Sequence, residues 1–443
     1  MPGSRVELIL ARQAVLATMA GIALLLLLVL RFRMNTFAAL LLAALVTGVF
    51  GGLSPEAALS SVQNGMGSTL GFIAPVVGLG SLFGALLEAG GAVAALARFA
   101  QNTRRLLLAQ VILTLIGIIA STPVFFDVAL LILLPLCLGL ARSLTKPVLL
   151  LGLPLIAGLA TGHAFVPPTP GPVAIADLID ADLASVAMVG LLVGVPAALV
   201  AGPLFSRILL RVGQLPSPDV SDRPSAEEAP RIAAGLAAAL MVLPLALILL
   251  GAVFGGIFSF IGHPFVALLI ACGASASVLK PVSGAEADAR RAMIERAILP
   301  AGVVILVTGA GGAFKQVLVD TGAGTMLGEV ILGWGISPVL AAFLIALTIR
   351  VAQGSATVAM VTAAGLVAPI IALAEPTVFQ RGVLTIALAS GASGFSHVND
   401  SGFWLVRELF GLSVAETLKT WTLSTGLIAF TGLLLCLFLY GAA

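Results

Sequence analysis

The stretch FSHVNDSGFW (395–404) places His397, Asn399, Asp400 and Ser401 within five positions of a chain built mainly from Leu, Ala, Val and Ile. An imidazole, an amide, a carboxylate and a hydroxyl so close together suit hydrogen bonding to a polyhydroxylated solute, or movement of a proton. GHAFVPPTPGP (162–172) is a second cluster, with His163 and Thr169. Ser121 and Thr122 in STPVF (121–125) and Ser355 and Thr357 in QGSAT (353–357) are further polar interruptions. Asp127 stands alone among apolar residues in VFFDVALL, and Glu88 and Asp320 lie near the ends of apolar runs. Neither a metal-ligand cluster nor a Ser–His–Asp order accompanies these residues, so an enzyme has no support here and no cofactor is expected.

The elements that hold these residues must lie in a membrane. Of 443 residues, 60% are hydrophobic and 9% are charged, and the mean hydropathy is +1.18. A soluble domain carries about 25% charged residues. Apolar runs long enough to cross roughly 30 Å of hydrocarbon recur along the chain. The fold class expected is an all-α polytopic membrane protein, with the lipid bilayer as its partner. A net charge of +2 without a basic patch gives no role for nucleic acid. Cys137, Cys272 and Cys436 are scattered without metal spacing and read as small buried hydrophobes. Ala14 to Leu30 lacks a small-residue cleavage site and runs into Arg31 and Arg33, which predicts a retained helix.

Lys and Arg in short loops mark the cytoplasmic side. By that rule 31–35, 98–105 and 141–146 face inside, whereas 54–68, with no Lys or Arg, faces outside. Both flanks of 106–140 are then cytoplasmic, and STP at 121–123 breaks that segment, which predicts a re-entrant hairpin. Irregular backbone at such a tip requires protein or water around it. The four prolines of 167–172 predict a non-helical stretch. A short amphipathic piece carrying Asp177, Asp180 and Asp182 is expected outside.

The two halves of the chain match. GSLFGALLEAGGA (80–92) aligns with GAFKQVLVDTGAG (312–324), placing Glu88 on Asp320 at an offset of 232. The same offset sets 121–125 on 353–357, and an offset of 234 sets His163 on His397. The second hairpin is flanked by 333–338 and 374–380, which carry no Lys or Arg, so it enters from outside; Arg381 is the dissenting charge. Two inverted repeats, each with a hairpin and a discontinuous helix, predict a secondary transporter. The expected division is N-terminal helices in 1–53 and repeat one in 54–212, with its tip at 121–123 and its helix break at 163–172. A cytoplasmic linker at 213–230 follows, then connecting helices and a basic loop in 231–296. Repeat two is 297–443, with its tip at 353–357 and its break at 395–402. The count is about ten spanning helices plus two hairpins, with both termini outside.

TPVFFDVALLILLPL (122–136), GHAFVPPTPGP (162–172), GSATVAM (354–360) and FSHVNDSGFW (395–404), in that order, resemble the gluconate:proton symporter family, also called gluconate permeases. The resemblance covers nearly the whole chain. It implies uptake of a sugar acid such as gluconate, driven by the proton gradient across a bacterial inner membrane. It also implies the wider ion-transporter fold and a homodimer with scaffold and transport domains. Many members have His where this chain has Thr169, a departure that bears on proton handling and substrate choice.

Each site residue has a plainer reading beside the functional one. Ser121, Thr122, Ser355 and Thr357 bind a carboxylate together with the helix N-termini after each tip, or they only cap those helices. Asp127 is a proton carrier, because a low-dielectric setting disfavours a lone charge, or it is a salt-bridged structural residue. His163 and His397 contact substrate or proton, or are satisfied structurally. Asn399, Asp400 and Ser401 meet sugar hydroxyls, or cap the following helix. Glu88 and Asp320 sit at the interface, with coupling as the minor alternative. TGAGGAF (308–314) marks close helix packing, and His263 has no assigned role. The leading function is proton-coupled symport of a sugar acid. A transporter of the same fold for glycerate, D-serine or a dicarboxylate, with sodium ranked behind the proton as coupling ion, is the rival. A channel is disfavoured by the Pro-broken repeats.

Overall fold

The computed structural model describes residues 16–17, 19–25, 27–29, 31–100, 103–216, 232–278, 285–322 and 335–443, and all regular structure among them is helical. Most of the expected linker at 213–230, part of the basic loop before residue 285 and the stretch 323–334 lie outside the described residues.

The first described helices are α1 (Met19–Val29) and α2 (Thr36–Phe50). A 35-residue helix, α3 (Pro55–Ala89), starts where the Ser54 hydroxyl accepts from Ala57 N–H and Pro55 occupies the first turn. Then come α4 (Ala92–Ala100), α5 (Leu106–Ser121), α6 (Phe126–Leu144), α7 (Leu149–Phe165), α8 (Pro170–Leu178) and α9 (Leu183–Arg211). The middle holds α10 (Ala234–Phe254), α11 (Ile257–Ile261) and α12 (Pro264–Val278). The second half holds the 36-residue α13 (Ala285–Asp320), α14 (Pro338–Gln353), α15 (Ala356–Leu373), α16 (Val378–Ser393), α17 (Ser401–Leu409) and α18 (Val414–Ala442).

Eight of the described helices are long and apolar enough to cross a membrane. This count differs in membership from the expected ten spans. It includes α6 and α15, which the sequence assigns to hairpins, counts α7 and α8 as one span, and omits α1, α2, α12 and α16. Residues 55–68 are not a loop but the first turns of α3, and 285–296 likewise begin α13. Loop charges report a side of the membrane, not a conformation. At 1.5 Å per residue both helices run about 50 Å, beyond the hydrocarbon thickness. They pack antiparallel, with Gly65 against Gly312 and Leu70 against Gly309, so the glycines of 308–314 serve close helix approach.

Corresponding helices start at similar separations: Leu106 and Pro338, Phe126 and Ala356, Leu149 and Val378, Pro170 and Ser401 differ by 232, 230, 229 and 231. Their packing corresponds too. A Cβ on Gly158 or Gly162 would strike the backbone of Thr114 or Ile118, so α5 and α7 lie parallel and nearly backbone to backbone. Gly391 against Phe343 and Gly394 against Leu347 make the same parallel contact between α14 and α16. In lipid such van der Waals fit, not a hydrophobic gradient, holds helices together. Cys137, Cys272 and Cys436 are buried and free.

The first helix break is shorter than the proline pattern implied. It spans 166–169, because Pro170 and Pro172 fall in the first turn of α8, where a missing N–H costs nothing. His163 consequently lies in the last turn of α7. The short piece after the break is apolar and buried rather than amphipathic, with Val173, Ile175 and Leu178 enclosed. Arg381, the dissenting loop charge, donates through Nη1 to the carbonyls of Ile179 and Asp180 at 3.1 and 3.3 Å. It thereby ties the start of α16 to the turn after α8.

Candidate substrate-binding site

A cavity of about 410 Å³ opens between the two interrupted helix pairs. The first half contributes Phe125, Phe126, Asp127, Ala160, His163 and Ala164. The second contributes the α14–α15 junction from Arg350 to Thr357, together with Asn399, Asp400, Ser401, Trp421 and Thr425. Seven of the expected site residues therefore share one space: Asp127, His163, Ser355, Thr357, Asn399, Asp400 and Ser401.

The α14–α15 junction is built by glycine. Gly354 has φ +86°, a left-handed conformation, and a Cβ there would lie 2.2 Å from the carbonyl oxygen of Asn399. Ser355 then caps α15 by accepting from Val358 N–H at 3.4 Å. The first turn of α15 faces the cavity, and its N–H groups favour negative charge.

The segment 394–400 closes over this junction. Asn399 Nδ2 donates to Val351 O at 2.8 Å, and His397 Nε2 lies 3.0 Å from the same oxygen. These side chains satisfy the last carbonyls of α14, which a helix end leaves unpaired. His397 is not among the cavity-lining residues. His397 thus caps α14 from outside the cavity lining, whereas Asn399 caps the same helix and also lines the cavity. Asp400 is likewise committed: Oδ2 pairs with Arg350 Nη2 at 2.5 Å and with the Ser396 hydroxyl, while Oδ1 accepts Gly402 N–H at 3.1 Å at the start of α17. Its carboxylate makes an ion pair and a helix cap while also lining the cavity. Ser396 extends the network to Trp421 Nε1 at 2.7 Å, and the Trp421 ring packs on Phe126 at 5.6 Å.

The first pair differs. Ser121 and Thr122 donate back to Ile118 O at 3.2 and 2.9 Å, and no side chain caps α6 at Phe125. With Thr169, whose hydroxyl donates to Val166 O at 2.6 Å, they line a separate pocket of about 20 Å³. His163 borders both spaces, and its buried Nδ1 has no partner. Asp127 sits in the first turn of α6 facing the main cavity. Glu88 and Asp320 do not line the cavity; they lie near the C-termini of α3 and α13, where Gln316 Nε2 donates to Asp320 at 2.9 Å. Among the described residues no group of three His, Cys, Asp or Glu could hold a metal.

Sequence reasoning missed Arg350. It lies inside the apolar run LAAFLIALTIRVAQ and is 4% exposed. Charge at membrane depth is costly and marks function, which makes this buried arginine a site candidate in its own right. Trp421 and Thr425 were also missed, since neither breaks a helix, and Gln353 was passed over within its own tip in favour of Ser355 and Thr357.

A helical membrane protein with an internal polar cavity framed by two interrupted helix pairs is a solute transporter by architecture. The chain matches the model for the GntP family permeases over residues 13–441 and belongs to that family. It is a multi-pass membrane permease, not an enzyme. It is 38% identical to the Gnt-II system L-idonate transporter of Escherichia coli K12 over 94% of this chain and 96% of that one. It is 36% identical to the low-affinity gluconate transporter of the same organism, with the same coverage. It is 33% identical to the D-serine transporter DsdX of E. coli O6:H1, over 95% of this chain and 97% of that one. Among solved structures, the Alcanivorax borkumensis YdaH transporter superposes with a TM-score of 0.67 at 15% identity, covering 92% of this chain and 98% of that one. That likeness speaks to fold alone.

Proposed function

We propose that this permease takes up gluconate or a related sugar acid together with a proton, by alternating access across the bacterial inner membrane. The observation that carries the reading is the shared cavity, in which an ionisable carboxylate from one half faces a helix N-terminus and several hydrogen-bonding side chains from the other. The first turn of α15, with Ser355 and Thr357, offers donors to an anion. Asn399, Ser401 and Thr425 offer partners for hydroxyls. Asp127 is the proton carrier in this reading: neutral, it admits an anion; ionised, it repels one, which links the two fluxes. The full-length relatives with gluconate and idonate in their names support the substrate class. The matched helix starts and the antiparallel α3–α13 pair support two inverted repeats. A homodimer is the proposed assembly, as the family resemblance implies, and no cofactor beyond the proton is invoked.

The name of the 33% identical D-serine transporter favours an amino acid as second reading. Proteoliposome uptake of labelled gluconate, idonate and D-serine, with and without an inward pH gradient, decides between them. Gradient-dependent gluconate or idonate accumulation is expected; accumulation of D-serine alone contradicts the sugar-acid reading.

A further inference from the structure

Arg350 is buried to 4% exposure, yet only one of its three nitrogens has a partner. Nη2 meets Asp400, whereas Nε and Nη1 are enclosed and unpaired. Gln353 is in the same condition, with both amide atoms enclosed and unpaired. Three residues apart on α14, the two side chains share a helix face, and both line the cavity. Leaving such groups unsatisfied is unfavourable, and more so for a charge. A cluster of this kind held beside a cavity is organised for a ligand that completes it.

We propose that Arg350 and Gln353 together recognise the 2-hydroxy carboxylate end of the substrate. Guanidinium N–H groups match a carboxylate as paired donors. The amide, one residue short of the Gly354 turn, supplies both a donor and an acceptor, which is what a neighbouring hydroxyl requires. Asp400 is then a resident counter-ion that keeps the guanidinium neutralised in the empty site and shares it in the filled one. The inference rests on the sugar-acid reading and sharpens it: the carboxylate is held by a side-chain cation beside the α15 N-terminus, not by that N-terminus alone.

The test is direct binding to purified full-length protein, followed by calorimetry at one acidic pH. The probes are gluconate, its uncharged amide gluconamide, and 2-deoxygluconate. Arg350→Gln alone strands Asp400, so the informative variant is the double change Arg350→Gln with Asp400→Asn, which removes both charges. Wild-type protein is expected to prefer gluconate over gluconamide. The double variant is expected to weaken gluconate roughly tenfold to a hundredfold while leaving gluconamide within a few-fold, the size of a charged hydrogen bond lost. Gln353→Leu is expected to abolish the preference for gluconate over 2-deoxygluconate and to retain that over gluconamide. Full charge discrimination in the double variant overturns the assignment while leaving the functional reading intact. Wild-type protein that binds gluconate no better than gluconamide overturns both. A double variant that binds none of the three probes also counts against the assignment, since the neutral ligand does not depend on the pair.

Discussion

The two helix–break–helix pairs share an outline and differ in chemistry. At the first, Ser121, Thr122 and Thr169 turn their hydroxyls onto local carbonyls, and the break at 166–169 is buried. At the second, a left-handed glycine makes the turn and Ser355 caps the next helix. The 394–400 segment there carries an ion pair, two side-chain bonds to Val351 O and a link to Trp421. The second pair thus brings most of the polar side chains to the cavity, whereas the first contributes Asp127, His163 and apolar wall. The difference teaches that matched helix starts place residues at similar positions but do not give them the same partners.

Breaking the ion pair is expected to have the largest effect. Arg350→Gln alone leaves Asp400 enclosed without its cation, which costs about 3–5 kcal/mol. It should appear as a large drop in melting temperature in detergent and loss of uptake. Adding Asp400→Asn should restore most of the stability but not the affinity. If the single change leaves the melting temperature untouched, the pair is not the centre of the second half.

Gly354→Ala comes next. It places a Cβ against the Asn399 carbonyl at a positive φ, and strain of about 1–3 kcal/mol is expected. Uptake should fall sharply with expression retained. A Gly84→Ala change in the first half places a Cβ 2.1 Å from Pro123 O, a clash without the positive φ. Equal transport defects from the two would erase the proposed contrast between halves.

Much of this was legible in the sequence, for physical reasons. Proline, glycine and polar residues at membrane depth are costly, so both junctions and both breaks stood out, and helix boundaries fell within a few residues of them. The capping roles of His397 and Asn399 were hidden, since their partner carbonyl on Val351 lies 46 to 48 residues away. Arg350 was hidden differently: it interrupts no helix, and attention to loop charges passes over a cation inside an apolar hairpin helix. Ser121 and Thr122 looked equivalent to Ser355 and Thr357 because an offset aligns residue types, not the directions their hydroxyls take.

The smallest expected effect follows from that last point. Ser355→Ala removes a helix cap worth about 1 kcal/mol and a cavity donor, and should raise the KM for a sugar acid several-fold. Thr122→Ala removes a hydroxyl bonded to Ile118 O and should change KM by less than about twofold, the scale of a few tenths of a kcal/mol. Uptake kinetics of the two variants side by side test whether recognition is concentrated in the second half.

The central claim is that the first half supplies the proton and the second binds the substrate. Asp127→Asn fixes the carrier in a form that mimics protonation while leaving the opposite wall of the cavity intact. In proteoliposomes this variant should exchange internal for external labelled gluconate at near wild-type rates yet fail to accumulate it when an inward pH gradient is imposed. Accumulation against the gluconate gradient by Asp127→Asn would contradict the account and remove Asp127 from the coupling step.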